Sequence, residues 1–237
     1  MAIPSRARAN RPPSGEESRR ASKADQVYDE IKEAILSGTF EPGMAIDKVE
    51  LCSRLGMSRF PVTTAINRLA YERLVVIEPQ HGSFVAKISA DDVRELLLIR
   101  RALEAEIAGE AARRLTHEAL EKLERNLRYQ VAAVEAQDYS GFYALDVEFH
   151  RIIIGGLNLL HSSEILEGLR SHLERVRRLL LPLPGRMPVT YAEHRAIVDA
   201  LNAGDADKAM AAMRDHLSQT AVMFESYVKQ RPSLFST

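Results

Sequence analysis

From Ser89 onward the chain gives up every sign of extended structure. Ser89-Ala90-Asp91-Asp92 opens a run of about 140 residues with few interior prolines and no alternating apolar pattern. Apolar residues recur at helical spacing instead. Breaks at Thr116, Asp138, Gly155-Gly156, the Pro182–Pro188 loop and Gly204-Asp205 divide the run into six helices, over 90–114, 116–136, 139–154, 160–181, 189–202 and 205–230. No repeat of fixed period runs through them, which excludes a solenoid and leaves an antiparallel helical bundle as the natural packing. Hydrophobic residues make up 46% of the 237, enough to bury a core.

The segment before Ser89 reads differently. Val27, Ile31, Ala34 and Ile35 mark a helix that Gly38 ends, and Glu41-Pro42-Gly43 turns the chain. Asp47 is placed to cap a short helix through Leu55, closed by Gly56. Ser58 is placed to cap the next, with Pro61 in its first turn and Val62, Ile66 and Leu69 on one face. Two β-type runs follow, Leu74–Ile77 and Ser83–Lys87, around Pro79 and His81-Gly82. Three helices and a hairpin in about 65 residues form a winged helix-turn-helix layout. The expected fold is therefore mainly α: a winged helix-turn-helix over 23–88, then an all-α antiparallel bundle over 89–231. A disordered basic tail is expected over 1–22 and a short tail over 232–237.

Charge and composition narrow the function. The net charge is −1, so the chain as a whole gives no reason to seek a polyanion. Yet Leu51–Tyr71 holds Arg54, Arg59 and Arg68 and no acid. The lone cysteine, Cys52, excludes an internal disulfide and fits a reducing compartment. With neither a secretory signal nor an apolar run long enough to span a bilayer, a cytoplasmic protein and no membrane partner are expected.

With Val62 at the centre of the buried stripe of the third helix, Phe60, Thr64 and Asn67 point outward and Thr63 and Arg68 lie on the flanks. Such groups suit the major groove: Asn can pair with adenine, Arg with guanine, and Thr or Phe can touch a thymine methyl. Arg54 and Arg59, near the helix entry, are better placed for phosphates, and Ser58 beside them is a further candidate for DNA contact. The wing turn His81-Gly82 can approach the minor groove. The same residues also describe an ordinary solvated helix face. The order of elements and the acid-free centre favour DNA.

Within the bundle, Asp146 and His150 share the buried stripe of Phe142, Leu145, Phe149 and Ile153. His194 lies with Ile197, Val198 and Leu201, and His216 with Met213 and Leu217. Buried polar groups need partners, each costing roughly 1–3 kcal/mol if left without one. A divalent metal would satisfy all four. An Asp–His hydrogen bond plus two separately satisfied core histidines would do so too, and His172, among Leu169, Leu173 and Val176, competes for a place in the set.

Taken together, Pro42-Gly43-Met44, Leu51-Cys52-Ser53-Arg54-Leu55-Gly56-Met57-Ser58-Arg59-Phe60-Pro61-Val62, Ala65-Ile66-Asn67-Arg68-Leu69 and His81-Gly82-Ser83-Phe84-Val85 resemble the DNA-binding domain of GntR-family transcription regulators. Phe60 stands where that family usually has Thr, and Thr63-Thr64 where it usually has Arg-Glu, so the usual recognition-helix arginine is missing. The run from Asp138 through Asp146, His150 and Asn158, with Glu193-His194-Arg195 and Asp215-His216-Leu217, resembles the FCD domain of the FadR-type subfamily. That resemblance implies a divalent metal on Asp146, His150, His194 and His216, most readily Zn²⁺ with Ni²⁺ and Mn²⁺ open, and an effector-binding role for Arg100. It also implies a homodimer on a palindromic operator, a small organic acid as effector, and repression. Two rivals stand beside it. One is a constitutive DNA binder with a purely structural metal. The other is a helical metallo-hydrolase, for which neither a His-Glu-x-x-His motif nor a suitably placed base is present. The expected protein is not an enzyme.

Overall fold

The computed structural model describes residues 22–236; the expected basic tail lies, apart from Ser22, outside the described residues. In the N-terminal part, α1 (Lys23–Leu36), α2 (Lys48–Leu55) and α3 (Arg59–Tyr71) precede a hairpin of β1 (Val75–Glu78) and β2 (Gly82–Val85). Local chemistry sets the ends. Ser22 and Asp25 form a reciprocal capping box on α1. Asp47 accepts from the Val49 and Glu50 amides at the start of α2, and Gly56 closes that helix at φ 61°. Ser58 stands at the entry of α3 without making the side-chain cap its position suggests. The strands pair antiparallel from Val75↔Val85 to Glu78↔Gly82. One core joins the parts, through Val27, Ile31, Ile35, Val62, Ile66, Leu69, Val75 and Val85.

Ile88–Ser89 (β3) leads into α4 (Ala90–Arg114), and five helices follow: α5 (His117–Glu135), α6 (Tyr139–Gly155), α7 (Leu160–Leu180), α8 (Arg186–Asn202) and α9 (Ala206–Gln230). The expected breaks act as caps: Ser89, Thr116, Asp138 and Asp205 each accept from a backbone amide three residues on. At Gly141 a Cβ would crowd the capping carboxylate of Asp138, which would have to shift. α8 starts three residues before the expected position. Gly185 turns the chain at φ 76°, and Pro188 sits in the first turn, where a missing N–H leaves no bond unmade.

The bundle core gathers Leu123 and Leu127, Phe149 and Ile153, Ile197 and Val198, Met213 and Leu217. A second cluster, Val93, Leu97, Leu173, Val176, Leu180 and Phe224, reaches toward the N-terminal part. The C-terminal segment, expected as a simple tail, turns at Pro232–Leu234 and lays Phe235–Ser236 (β4) parallel to β3, with Phe235 buried against Phe224. No described helix is long and apolar enough to cross a membrane.

Candidate metal centre and nucleic-acid interface

Four donor residues meet inside the bundle. α6 presents Asp146 and His150 one turn apart, α8 presents His194 and α9 presents His216, all buried, with one donor atom from each lying within 4.8 Å of all the others. Phe149 stacks on the His194 ring at 4.0 Å between centroids and fixes its plane. His172, the competitor, is exposed on α7 and is not in the cluster.

The surroundings assign the proton on each ring. His194 Nδ1 lies 2.9 Å from Gln130 Oε1, and Gln130 is itself held by Asn126, which donates to the Leu145 carbonyl. His216 Nδ1 lies 2.7 Å from Glu193 Oε2. His150 Nδ1 faces Glu104 Oε2 at 2.5 Å, a close approach rather than an aligned hydrogen bond. An acceptor opposite each Nδ1 puts the proton there and leaves each Nε2 with a lone pair. Those of His194 and His150 point at Asp146 Oδ1 from 3.5 and 3.9 Å, and neither has a hydrogen-bond partner. Those separations are at or beyond the limit of a hydrogen bond. A simple Asp–His bond does not account for them, whereas a cation among the four would. The outer acceptors are the kind that orient metal-bound imidazoles.

Burial pushes the His194 and His216 pKa values well below the ordinary range, assisted by the neighbouring rings, and burial lowers that of His150 against the pull of Glu104. All three rings are neutral near pH 7. Burial alone would raise the Glu104 pKa; Arg100 and His150 more than reverse it and hold it well below the usual range.

Beside the donors is a cavity of about 30 Å³, lined by Arg100, Asp146, Arg177, Arg186, Thr190 and His216. Each arginine has an acid: Arg100 donates to Glu104 at 2.5 Å, Arg186 grips Glu193 with two bonds of 3.0 and 3.1 Å, and Arg177 pairs with Asp146 Oδ2. Arg100 Nη2 and Arg177 Nη1 are buried without a hydrogen-bond partner. Arg100 thus borders the cavity while tied to Glu104. The sequence reading missed Glu104, Gln130, Arg177 and Arg186. Glu104, four residues after Arg100, and Gln130, four after Asn126, were visible as polar pairs on buried helix stripes. Nothing local marked Arg177 or Arg186.

On the N-terminal part, Val62, Ile66 and Leu69 of α3 are buried, and Arg59, Phe60, Thr63, Thr64 and Asn67 are exposed together. Ser58, His81 and Gly82 are exposed as well. Thr64 spends its hydroxyl on the Phe60 carbonyl at 3.0 Å. Two of the expected contacts are engaged elsewhere. Arg54 pairs with Glu30, and Arg68 folds over the Tyr28 ring at 3.7 Å, with Asp25 and Glu72 as ion partners. Arg59 has no ion pair among the described residues.

One helix touches both regions. On α7, Arg177 reaches Asp146, while Arg175 donates to the Ala86 carbonyl at 2.6 Å and Arg178 reaches Glu33 of α1 at 2.6 Å.

Residues 23–85 match the bacterial regulatory proteins of the gntR family, and residues 95–219 match the FCD domain. The chain is 30% identical to the HTH-type transcriptional repressor RspR of Escherichia coli over 211 residues, 89% of this chain and 92% of that one. It is 25% identical to the gluconate operon transcriptional repressor of Bacillus licheniformis over 180 residues, 76% and 73% of the two chains. Among solved structures, E. coli McbR/YncC shares the fold with a TM-score of 0.69 at 23% identity, covering 88% of this chain and all of that one. A winged helix-turn-helix joined to such a helical domain defines a DNA-binding transcriptional regulator rather than an enzyme. The chain belongs to the GntR family, and its C-terminal half is an FCD domain.

Proposed function

We propose that this protein is a metal-dependent, ligand-responsive repressor that works in the cytoplasm as a homodimer, each winged domain reading one half of a palindromic operator. The observation that carries the sensing half is the convergence of imidazole lone pairs on one carboxylate in a buried interior. Asp146, His150, His194 and His216 would hold a divalent ion. Three nitrogens and one oxygen favour Zn²⁺, with Ni²⁺ or Mn²⁺ also suited. When bound, the ion supplies an open Lewis-acid position for the carboxylate of a small organic acid, and Arg100, through its free Nη2, is the first candidate to clamp that anion. Relatives named as repressors support repression.

Contact with DNA falls to Ser58 and Arg59 at the backbone, to the wing residues His81 and Gly82 in the minor groove, and to Thr63, Thr64 and Asn67 at the bases, with Arg54 available only after leaving Glu30 and Arg68 only after leaving Tyr28. Coupling runs through α7. The cavity admits little more than a water molecule, so an effector must displace its wall, which includes Arg177, Leu180 and Leu181. Arg175 and Arg178 then carry that shift to Ala86 and Glu33 of the reading head. An effector changes operator affinity only as far as it prefers one arrangement.

The small cavity also favours the rival reading, a structural metal in a constitutive DNA binder. Operator affinity measured across a panel of organic acids, with zinc-loaded and chelated protein, separates the two. An acid that weakens operator binding only when zinc is present supports the sensor; affinity indifferent to every acid supports the rival.

A further inference from the structure

A large apolar side chain stands on the outward face of α3. Phe60 is 80% exposed in the first turn, and its spacing from Thr64 and Asn67 puts the three on one face. The exposed residues beside it, Arg59, Thr63, Thr64 and Asn67, are all polar, so the ring belongs to no apolar patch that another protein would cover. The first turn of a recognition helix is the part that meets base edges. A ring placed there covers whatever edge it meets and offers no hydrogen bond in return. Guanine, cytosine and adenine present only donors and acceptors in the major groove, and covering one without a partner is costly. Thymine alone adds a methyl group.

The rest of the face has the same preference. Guanine is most often read by an arginine, and cytosine N4 by a carboxylate. Leu51–Tyr71 holds no acid. Of its arginines, Arg54 is paired with Glu30, Arg68 is folded over Tyr28 with Asp25 and Glu72 as ion partners, and Arg59 at the helix entry is assigned above to phosphate. Thr64 donates its hydroxyl proton to the Phe60 carbonyl at 3.0 Å, which leaves it a methyl group and a lone pair. Asn67 remains, and its amide matches adenine. We infer, on the DNA-reading half of the proposed function alone, that Phe60 is a specificity residue that packs its ring on the C5-methyl of a thymine, and that α3 reads A·T pairs where Phe60 and Asn67 touch the half-site.

The test starts from full-length protein and a randomised duplex pool, from which a binding selection yields the operator. Each thymine of that operator is then replaced singly by deoxyuridine, which keeps the pairing and removes only the methyl group. Fluorescence anisotropy at low salt, where weakened variants still bind, should find at least one thymine whose replacement costs the wild type about fourfold in affinity, the worth of one buried methyl group. Phe60→Ala should bind thymine and uracil equally at that position, and Phe60→Leu should keep part of the preference. An operator without a uracil-sensitive thymine overturns the inference and leaves DNA reading intact. Undiminished sensitivity in Phe60→Ala removes the ring from the contact and overturns it as well. Enrichment of no sequence at all overturns the DNA-reading proposal together with it.

Discussion

Replacing Asp146 with asparagine keeps the shape of the side chain and removes its charge, which separates two roles the carboxylate is placed to fill. In the chelated protein, Asp146 is the ion partner of Arg177, and both are buried. Breaking a buried pair from one side costs about 3–5 kcal/mol. In a chain of this size that lowers Tm by roughly 6–20 °C, at about 2–4 °C per kcal/mol. Asp146→Asn combined with Arg177→Met should recover most of the loss, because no buried charge is then left alone. Zinc provides the second readout. At one hundred times its Kd it should stabilise the wild type by about 2.7 kcal/mol. It should do far less for Asp146→Asn. The assay is thermal denaturation followed by circular dichroism, with chelator and with zinc, on the wild type, the single variant and the double. Equal zinc stabilisation of wild type and Asp146→Asn would refute the carboxylate as a ligand. Coincident melting of the two in chelator would refute the account of the Arg177 pair.

Further outcomes are expected. Arg59→Ala should weaken operator binding and reduce the slope of log affinity on log salt by about one unit per bound protomer; an unaltered slope removes Arg59 from the phosphate contacts. Asn67→Ala should relax discrimination at one base pair, by about 1–3 kcal/mol if it reads adenine bidentately; in a binding selection, a uniform loss over all sequences would argue against base reading. Arg175→Met should leave the bundle able to take up zinc while blunting the change in operator affinity that effector produces, and an undiminished response would rule out the α7 route. The chelated protein should lose stability as pH falls from about 6.5 to 5.5. His194 and His216, held well below their ordinary pKa, stay neutral in the folded state while the unfolded chain takes up protons. Each contributes up to about 1.4 kcal/mol per pH unit. A urea midpoint constant over that interval would contradict their burial as neutral rings.

What the sequence determined by itself is whatever short-range chemistry writes. Thr116, Asp138 and Asp205 had to cap helices because a side-chain oxygen satisfies amides that would otherwise lack partners. Val62, Ile66 and Leu69 had to turn inward, and Asp146 with His150 had to share a face, because 3.6 residues make a turn. Other decisions needed the packed chain. His172 and His194 both sit among apolar residues in sequence, yet one is exposed and the other faces Asp146, since helix spacing says which residues share a face but not which neighbour covers it. Arg68 leaves the reading face because Tyr28, 40 positions earlier, offers its ring across the α1–α3 contact. Arg177 finds Asp146, and Phe235 finds Ile88, only when distant segments are brought together. Charge and burial act through space, and the folded chain alone sets the distances over which they act.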